Sequence, residues 1–435
     1  MAGGSLFAIL VAWITPLFVI GLLVFLSALQ PLQWTPPVLW TNQFGNPRLG
    51  NSVTSIAANG NSLYVAGFSS RIENLGLVSS GELFLSRYSS SGSVEWTHQF
   101  LDSSGNSPSI SVGSDGVYFA ANGPGTGTLL RYDFSGNLLW NESANPGIDL
   151  APSLPVANVL FGSGVSDHPI TNQTLTGSTI MFLREYDAGG RVVWTSEFSN
   201  STTDRAQGIS VSNNAVYMIT KTSIVAYSLN GHQEWILPVE GSGSIIPYGV
   251  SADSTGVYVT GTATNITYGV PIGFLERYDA NGRLIWNSTF ASPDYGGIAG
   301  EAVSEDSSGI YVSIGSFPGH DFIIKFDSKG QQVWTIQTQF TSLNYNFLIA
   351  SGQGNFYVAG AVSTLPGYRG ILEGVSGDSS FVFFGVNPPY SFMLVAAAVA
   401  LVIIGLLLLQ RKYTRKTTTR VQYKVDKQVY GRIPL

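Results

Sequence analysis

The chemistry open to this chain is narrow. It has no Cys and only four His, at His98, His168, His232 and His320. Without Cys there is no disulfide, no thiol nucleophile and no thiolate metal site. No two His stand at the short spacing of a zinc site, and His98 and His232 fall on or near corresponding strands of different sequence repeats, which sets them apart in space. His320-Asp321, following Pro318-Gly319, has the residue types of half an acid–base pair, yet no nucleophile motif accompanies it. Glu301, Glu305 and Asp306 cluster on one expected strand, either as a cation site or as a solvated acidic wall. Sequons at Asn141, Asn172, Asn200, Asn265 and Asn287 are glycan acceptors if the chain is exported, although a sequence so rich in Ser and Thr carries about five by chance. There is no dinucleotide fingerprint, phosphate loop or helix-borne metal motif. No metal or cofactor is expected from these residues.

The elements that would position these groups come from a repeat. An aromatic residue, Asp or Ser, two free positions, Gly, three residues and Trp recur at Tyr88/Ser89/Gly92/Trp96, Tyr132/Asp133/Gly136/Trp140 and Tyr186/Asp187/Gly190/Trp194. The same frame returns at Tyr227/Ser228/Gly231/Trp235, Tyr278/Asp279/Gly282/Trp286 and Phe326/Asp327/Gly330/Trp334. Its internal spacing never slips, whereas successive Trp lie between 41 and 56 residues apart. That is the period of propeller blades with loops of variable length. Each copy reads as a hairpin: Asp accepts a backbone hydrogen bond, Gly takes the positive φ of a type I turn with a bulge, and the chain returns. Leu284 and Trp286 are then expected on one face of the returning strand, the ring covering the neighbouring blade. Asp-x-Asn-Gly also begins like a calcium loop, but the further acidic positions and distal Glu are missing.

Upstream of each hairpin stands a period-two strand of the Val-Tyr-Val kind, as at Ser62–Gly67, Gly116–Ala121, Ala215–Thr220, Gly256–Gly261, Gly309–Ser313 and Asn355–Gly360. The third unit matches poorly, with Val156–Gly164 in that role. The seventh keeps a Gly at Gly377 but has Phe381 where Trp belongs. Together these give an all-β, seven-bladed propeller of about four strands per blade, over residues 38–386. Val38–Phe44, carrying Trp40, has no hairpin partner before it and is expected to clasp the outer edge of the last blade, either beside Phe381–Phe384 or in its place.

The formal net charge of −6 hides a division. Residues 48–389 hold 13 Lys/Arg against 26 Asp/Glu, and residues 410–435 hold eight against one. An acidic central domain argues against binding nucleic acid through its phosphates. Residues 1–30 contain an apolar run, Ser5–Leu29, long enough to span a bilayer. It reads as a retained anchor, with cleavage near Ser27-Ala28 as the alternative. Residues 31–37 are a linker. Residues 387–410 supply a second span, Tyr390–Leu409, and the basic tail 411–435 opens with Arg411-Lys412 and Arg415-Lys416. That stop-transfer pattern places the tail in the cytoplasm and the propeller outside the cell.

The Tyr-Asp-x-x-Gly-x-x-x-Trp hairpin resembles the tryptophan-docking motif of pyrroloquinoline-quinone-like propeller repeats, and the Val-Tyr-Val-x-Gly strands resemble the bacterial and archaeal SBBP repeats. The resemblance runs from Trp40 to Gly385 and implies the fold. Quinone-dependent members use a vicinal disulfide and calcium ligands; the absence of Cys removes the first feature, and the others find no counterparts here. Non-enzymatic members serve as scaffolds or surface binding modules. The expectation is therefore a membrane-anchored surface propeller that binds a protein or glycan through loops such as Ser69–Glu82, Asn145–Pro155, Gly164–Ser178 and Thr262–Gly273. An envelope enzyme with its site at the central channel is one alternative. A subunit of a larger membrane complex is another.

Overall fold

A computed structural model describes residues 36–44, 49–71, 81–102, 107–123, 126–144, 148–150, 159–166, 170, 180–198, 206–238, 245–264, 270–291, 297–317, 321–338, 348–352, 354–364 and 367–376. The chain divides into two compact units, Met1–Asp378 and Ser379–Leu435, and every described residue belongs to the first. The two apolar runs and the basic tail lie outside the described residues; among those described, no helix is long and apolar enough to cross a membrane.

The repeat resolves into 28 strands in seven four-stranded antiparallel sheets. In blade 5, Ile245–Asp253 is innermost, followed outward by Gly256–Thr264, Pro271–Asp279 and Leu284–Phe290. The seven innermost strands touch in cyclic order, with Leu49–Asn59 of blade 1 meeting Leu348–Gly352 of blade 7. This is a closed seven-bladed propeller.

Closure comes from the strand that the sequence left without a partner. Val38–Phe44 pairs antiparallel with Gly367–Ser376 and is the outermost strand of blade 7, so Trp40 takes the place expected for Phe381. Phe381–Phe384 lies outside the described residues. In blade 3 the second strand is Val159–Ser166 rather than Val156–Gly164, and Asn145–Pro155, read as a loop, contains the short innermost strand Asp149–Leu150.

Packing explains why the aromatic residues recur. The second strand of each blade buries a ring that meets the Trp of the same blade at about the same separation: Tyr64 with Trp96, Tyr118 with Trp140 and Tyr258 with Trp286, each at 6.1 Å. The returning strand starts with a bulge, because Arg277 faces Trp286 while Tyr278 already faces Leu284. The extra residue turns Leu284 outward, 46 % exposed, against the expectation that it shares the face of Trp286. The ring is delivered to the next blade, where Ser288 Oγ also donates to Gly330 O at 2.6 Å.

Candidate functional site

The residues picked out by the repeat form one device, used around the ring. Trp96 Nε1 donates to Phe134 O at 3.1 Å, Trp140 to Ala188 O at 2.9 Å, Trp235 to Ala280 O at 2.9 Å and Trp286 to Ser328 O at 3.1 Å. Trp194 likewise donates to Leu229 O at 3.2 Å and also to the Glu185 carboxylate. Each acceptor lies in the hairpin turn of the following blade, and the indole covers the glycine of that turn. A Cβ placed on Gly136, Gly190, Gly231, Gly282 or Gly330 would meet Trp96, Trp140, Trp194, Trp235 or Trp286 at 3.0 Å or less. These glycines hold φ between 77° and 88°, so conformation and space both demand Gly. Asp279 completes the turn by accepting from Asn281 N and Arg283 N, the hairpin expected from the sequence. Trp334 instead packs on Phe356, 5.7 Å away.

A second part of the device was not read from the sequence. The residue before the motif's aromatic is Arg87, Arg131, Arg277 or Lys325 in four blades, and each cation lies over the buried Tyr of the neighbouring strand. Arg131 also reaches Asp115 of its own blade and Ala188 O of the next, both at 2.9 Å. The signal was available as a basic residue recurring before Tyr or Phe.

The innermost strands of all seven blades, together with Ser107, Pro108 and Ser163, line a channel with a cavity of about 410 Å³. Its wall is mostly Ser, Ala, Gly and aliphatic, with Thr54, Gln207 and Tyr248, and among the described residues Glu301 and Glu305 are the only charged ones that line it. Asp306, expected with them, does not line it; its carboxylate accepts from Ser308 N and, across the blade boundary, Gly354 N. Among the described residues no three His, Asp or Glu side chains gather as metal ligands.

Four innermost strands carry a bulge. The extra residues are Thr54, Gln207, Tyr248 and Glu301, and all four line the channel. Each stands five residues before the residue that opens the inner turn, namely Asn59, Ser212, Asp253 and Asp306, so the four share one level of the ring. A bulge re-aims a side chain that regular pleating would turn elsewhere. Here it sets four residues of different chemistry along one level of the wall, with Glu301 Oε1 folded back and buried against Gly315 and the Thr54 hydroxyl donating to Pro108 O.

Glu305 lies at the opposite end of the channel. Burial pushes its carboxyl up to about 7, the nearby carboxylates of Asp253 and Asp306 add to the effect, and Arg277 opposes it. Arg277 is itself fixed, its guanidinium 4.3 Å from the Tyr258 ring and 2.9 Å from Asp253 Oδ1. His98 stacks on Tyr132 at 4.7 Å and contacts Gly136 O at 2.8 Å, and His232 is exposed beside a hairpin turn; neither lines the channel. His168 and His320 lie outside the described residues. Asn141 and Asn287 are exposed on outer strands, each directly after a docking Trp, while Asn172, Asn200 and Asn265 lie outside the described residues.

The two faces of the ring differ. Hairpin turns bearing the docking glycines occupy one face. The longer connections, including 72–80, 167–179 and 265–269, join strands at the other and, Ile170 apart, are themselves outside the described residues. Ser376 N donates to Pro37 O at 3.2 Å, so the chain enters and leaves the ring side by side on the turn face.

No protein-family model matches this chain, and no curated protein matches it in sequence. Among solved structures it is similar to the WD40 domain of Pan2 from Neurospora crassa, with a TM-score of 0.53 and 11% identity over 79% of this chain and 96% of that one. It is also similar to the acylaminoacyl peptidase of Pyrococcus horikoshii, with a TM-score of 0.47 and 11% identity over 76% of this chain and 53% of that one. At such identity the likeness to the WD40 domain concerns the fold alone.

Proposed function

We propose that this chain is a membrane-anchored binding scaffold at the cell surface, related to the pyrroloquinoline-quinone-like and SBBP propeller repeats, and that it meets a protein partner on the face opposite its hairpin turns. The observation that carries this reading is the hydrogen bond between Ser376 and Pro37. The chain enters and leaves the ring at adjacent points of the turn face, which suits a ring held by its two flanking apolar runs. The opposite face has the connections whose lengths differ most between blades, and recognition is commonly varied in such segments on a rigid support. The basic residues after Leu409 favour an external propeller through the positive-inside rule.

Two experiments test the reading. Protease added to intact cells should remove the propeller and spare the tail beyond Arg411; digestion of the tail alone would reverse the topology. Purification in mild detergent followed by chemical cross-linking should place partner cross-links on segments 72–80, 167–179 and 265–269. Cross-links confined to the turns at Asn281 or Lys329 would reject the assigned face.

A further inference from the structure

The margin of the turn face carries a band of apolar side chains that the fold itself does not use. In the two positions before the docking tryptophan stand Val38-Leu39 in blade 7, Leu138-Leu139 in blade 2 and Val192-Val193 in blade 3, with Val94 at the first of them in blade 1. All seven are between 49 and 56 % exposed. Beyond the tryptophan the outer strands of blades 7, 1 and 2 expose polar residues instead, Thr41 and Gln43, Thr97 and Gln99, and Asn141 and Ser143. The apolar character is confined to the turn-face end. Strand formation does not require it, because blade 4 has Gln233-Glu234 in the two positions, and its Trp235 still donates to Ala280 O at 2.9 Å and covers Gly282. Glu95, which follows Val94, is held by Arg87 at 2.8 Å.

The four blades are contiguous, since the innermost strand of blade 7 meets that of blade 1 and the order runs on through blades 2 and 3. Their band is one arc. It begins at Val38, where the chain enters the ring, and Ser376 N donates to Pro37 O, so the chain leaves the ring at the same place. Residues 30–37 separate the arc from the apolar run Ser5–Leu29, and even fully extended they reach no more than about 29 Å. A free sheet edge with exposed Val and Leu is an association site unless something covers it. Within that reach of a membrane-spanning segment, the cover of matching chemistry is the bilayer, where aliphatic side chains enter the acyl boundary and polar neighbours stay among the headgroups. Arg191, exposed at the start of the blade 3 strand, has the charge to meet lipid phosphate. We infer that the ring leans on the bilayer that anchors it, through the apolar arc of blades 7, 1, 2 and 3. This rests on the membrane-anchored reading above and specifies how the ring is held, with the face opposite the turns open to a partner.

The chain has no Cys, so a nitroxide label can be placed at one position at a time. Leu139→Cys, Val193→Cys, Glu234→Cys and Ile285→Cys put it just before the tryptophan in blades 2, 3, 4 and 5 of the full chain, one copy per phosphatidylcholine nanodisc. Where a label melts the ring, the neighbouring Leu138 or Val192 takes its place. Power-saturation EPR should show the labels at 139 and 193 relaxed by oxygen but shielded several-fold from a water-soluble nickel chelate, which the acyl region excludes. Labels at 234 and 285 should meet the chelate freely. Equal access at all four positions would overturn the inference, as would a label at 285 shielded as deeply as those at 139 and 193, which would lay the whole turn face on lipid. Shielding that appears only in discs holding two copies would give the arc to self-association and overturn it too. In each of these cases, protease that still strips the propeller from intact cells leaves the anchored-scaffold reading standing without this contact. A chain that fails to enter the discs at all would sink both.

Discussion

Trp40 lies over Gly92. The indole N–H donates to Ser90 O at 2.7 Å, and a Cβ on Gly92 would come within 2.5 Å of the ring. The Asn42 amide also donates to Gly92 O. This repeats the contact that joins every other docked pair of blades, but here the Trp comes from the beginning of the chain and closes the circle. Blade 7 thus acquires its outer strand and blade 1 its cover from the same seven residues.

Removing that ring should open the circle. Trp40→Ala should lower the unfolding free energy of a chain of residues 36–378 by up to about 3 kcal/mol, the lower end of the range for a fully buried aromatic, because the ring is only partly buried. Trp286→Ala, at an ordinary blade boundary, should cost a similar amount. Urea denaturation of the two variants checks the comparison. A negligible effect at Trp40 alongside a large one at Trp286 would mean that the ring closes by other contacts.

Gly330 and Gly354 separate conformation from contact. Their φ values are 77° and 78°, but a Cβ on Gly330 would meet Trp286 at 2.5 Å, whereas nothing lies within 4 Å of one on Gly354. Gly354→Ala should cost about 1–2 kcal/mol from the left-handed backbone alone. Gly330→Ala should cost about 1–3 kcal/mol more, because the indole must move. Equal costs would deny that the ring is held on the turn.

Glu305 sets a pH dependence of definite sign. Its carboxyl titrates near 7 in the folded chain against an ordinary value of 4.5, so the folded state holds the proton more tightly. Stability from this group is complete below pH 4.5 and lost as the pH rises through 7. Glu276 and Glu373, also raised by burial, act in the same direction. Asp133 and Asp279, lowered by their turn hydrogen bonds, contribute only on the acid side, where stability falls as they protonate. Thermal melts of the parent should therefore fall between pH 5 and 8, and Glu305→Gln should flatten that fall; an unchanged slope would place the titration elsewhere.

Arg277→Met tests the same network from its basic side. The guanidinium lowers the Glu305 carboxyl, so its loss should move the midpoint of the pH-dependent melt upward. It also strands Asp253, whose Oδ1 lies 2.9 Å from Arg277 Nη2. The parent and variant should diverge most above pH 7, and a downward shift of the midpoint would contradict the assignment.

The sequence disclosed the features that repeat and concealed those that do not. Gly and Trp at a fixed spacing announce a hairpin and its cover, because local turn geometry and one large side chain suffice to specify them. The clasp was foreseen as a strand lacking a partner. The bulges that turn Thr54, Gln207, Tyr248 and Glu301 into the channel were not foreseen, since an added residue in an inner strand has no composition of its own and shows only in the register between two strands. Glu301 and Glu305 were expected together with Asp306. The bulge and the turn instead separate them, Glu301 to one end of the channel, Glu305 to the other and Asp306 to a cap.

Closure of the ring depends on the first strand completing the last blade. Thr41 and Glu373 are direct partners across that junction, and Thr41 Oγ1 lies 3.2 Å from Glu373 Oε1. Cα atoms so opposed in an antiparallel pair lie within disulfide range, and the chain has no Cys to compete. Thr41→Cys combined with Glu373→Cys, oxidised in the full chain and analysed by mass spectrometry after trypsin, should yield a single linked peptide pair within the monomer. Two free thiols, or a link found only between two copies, would show that the ring is not closed in this way.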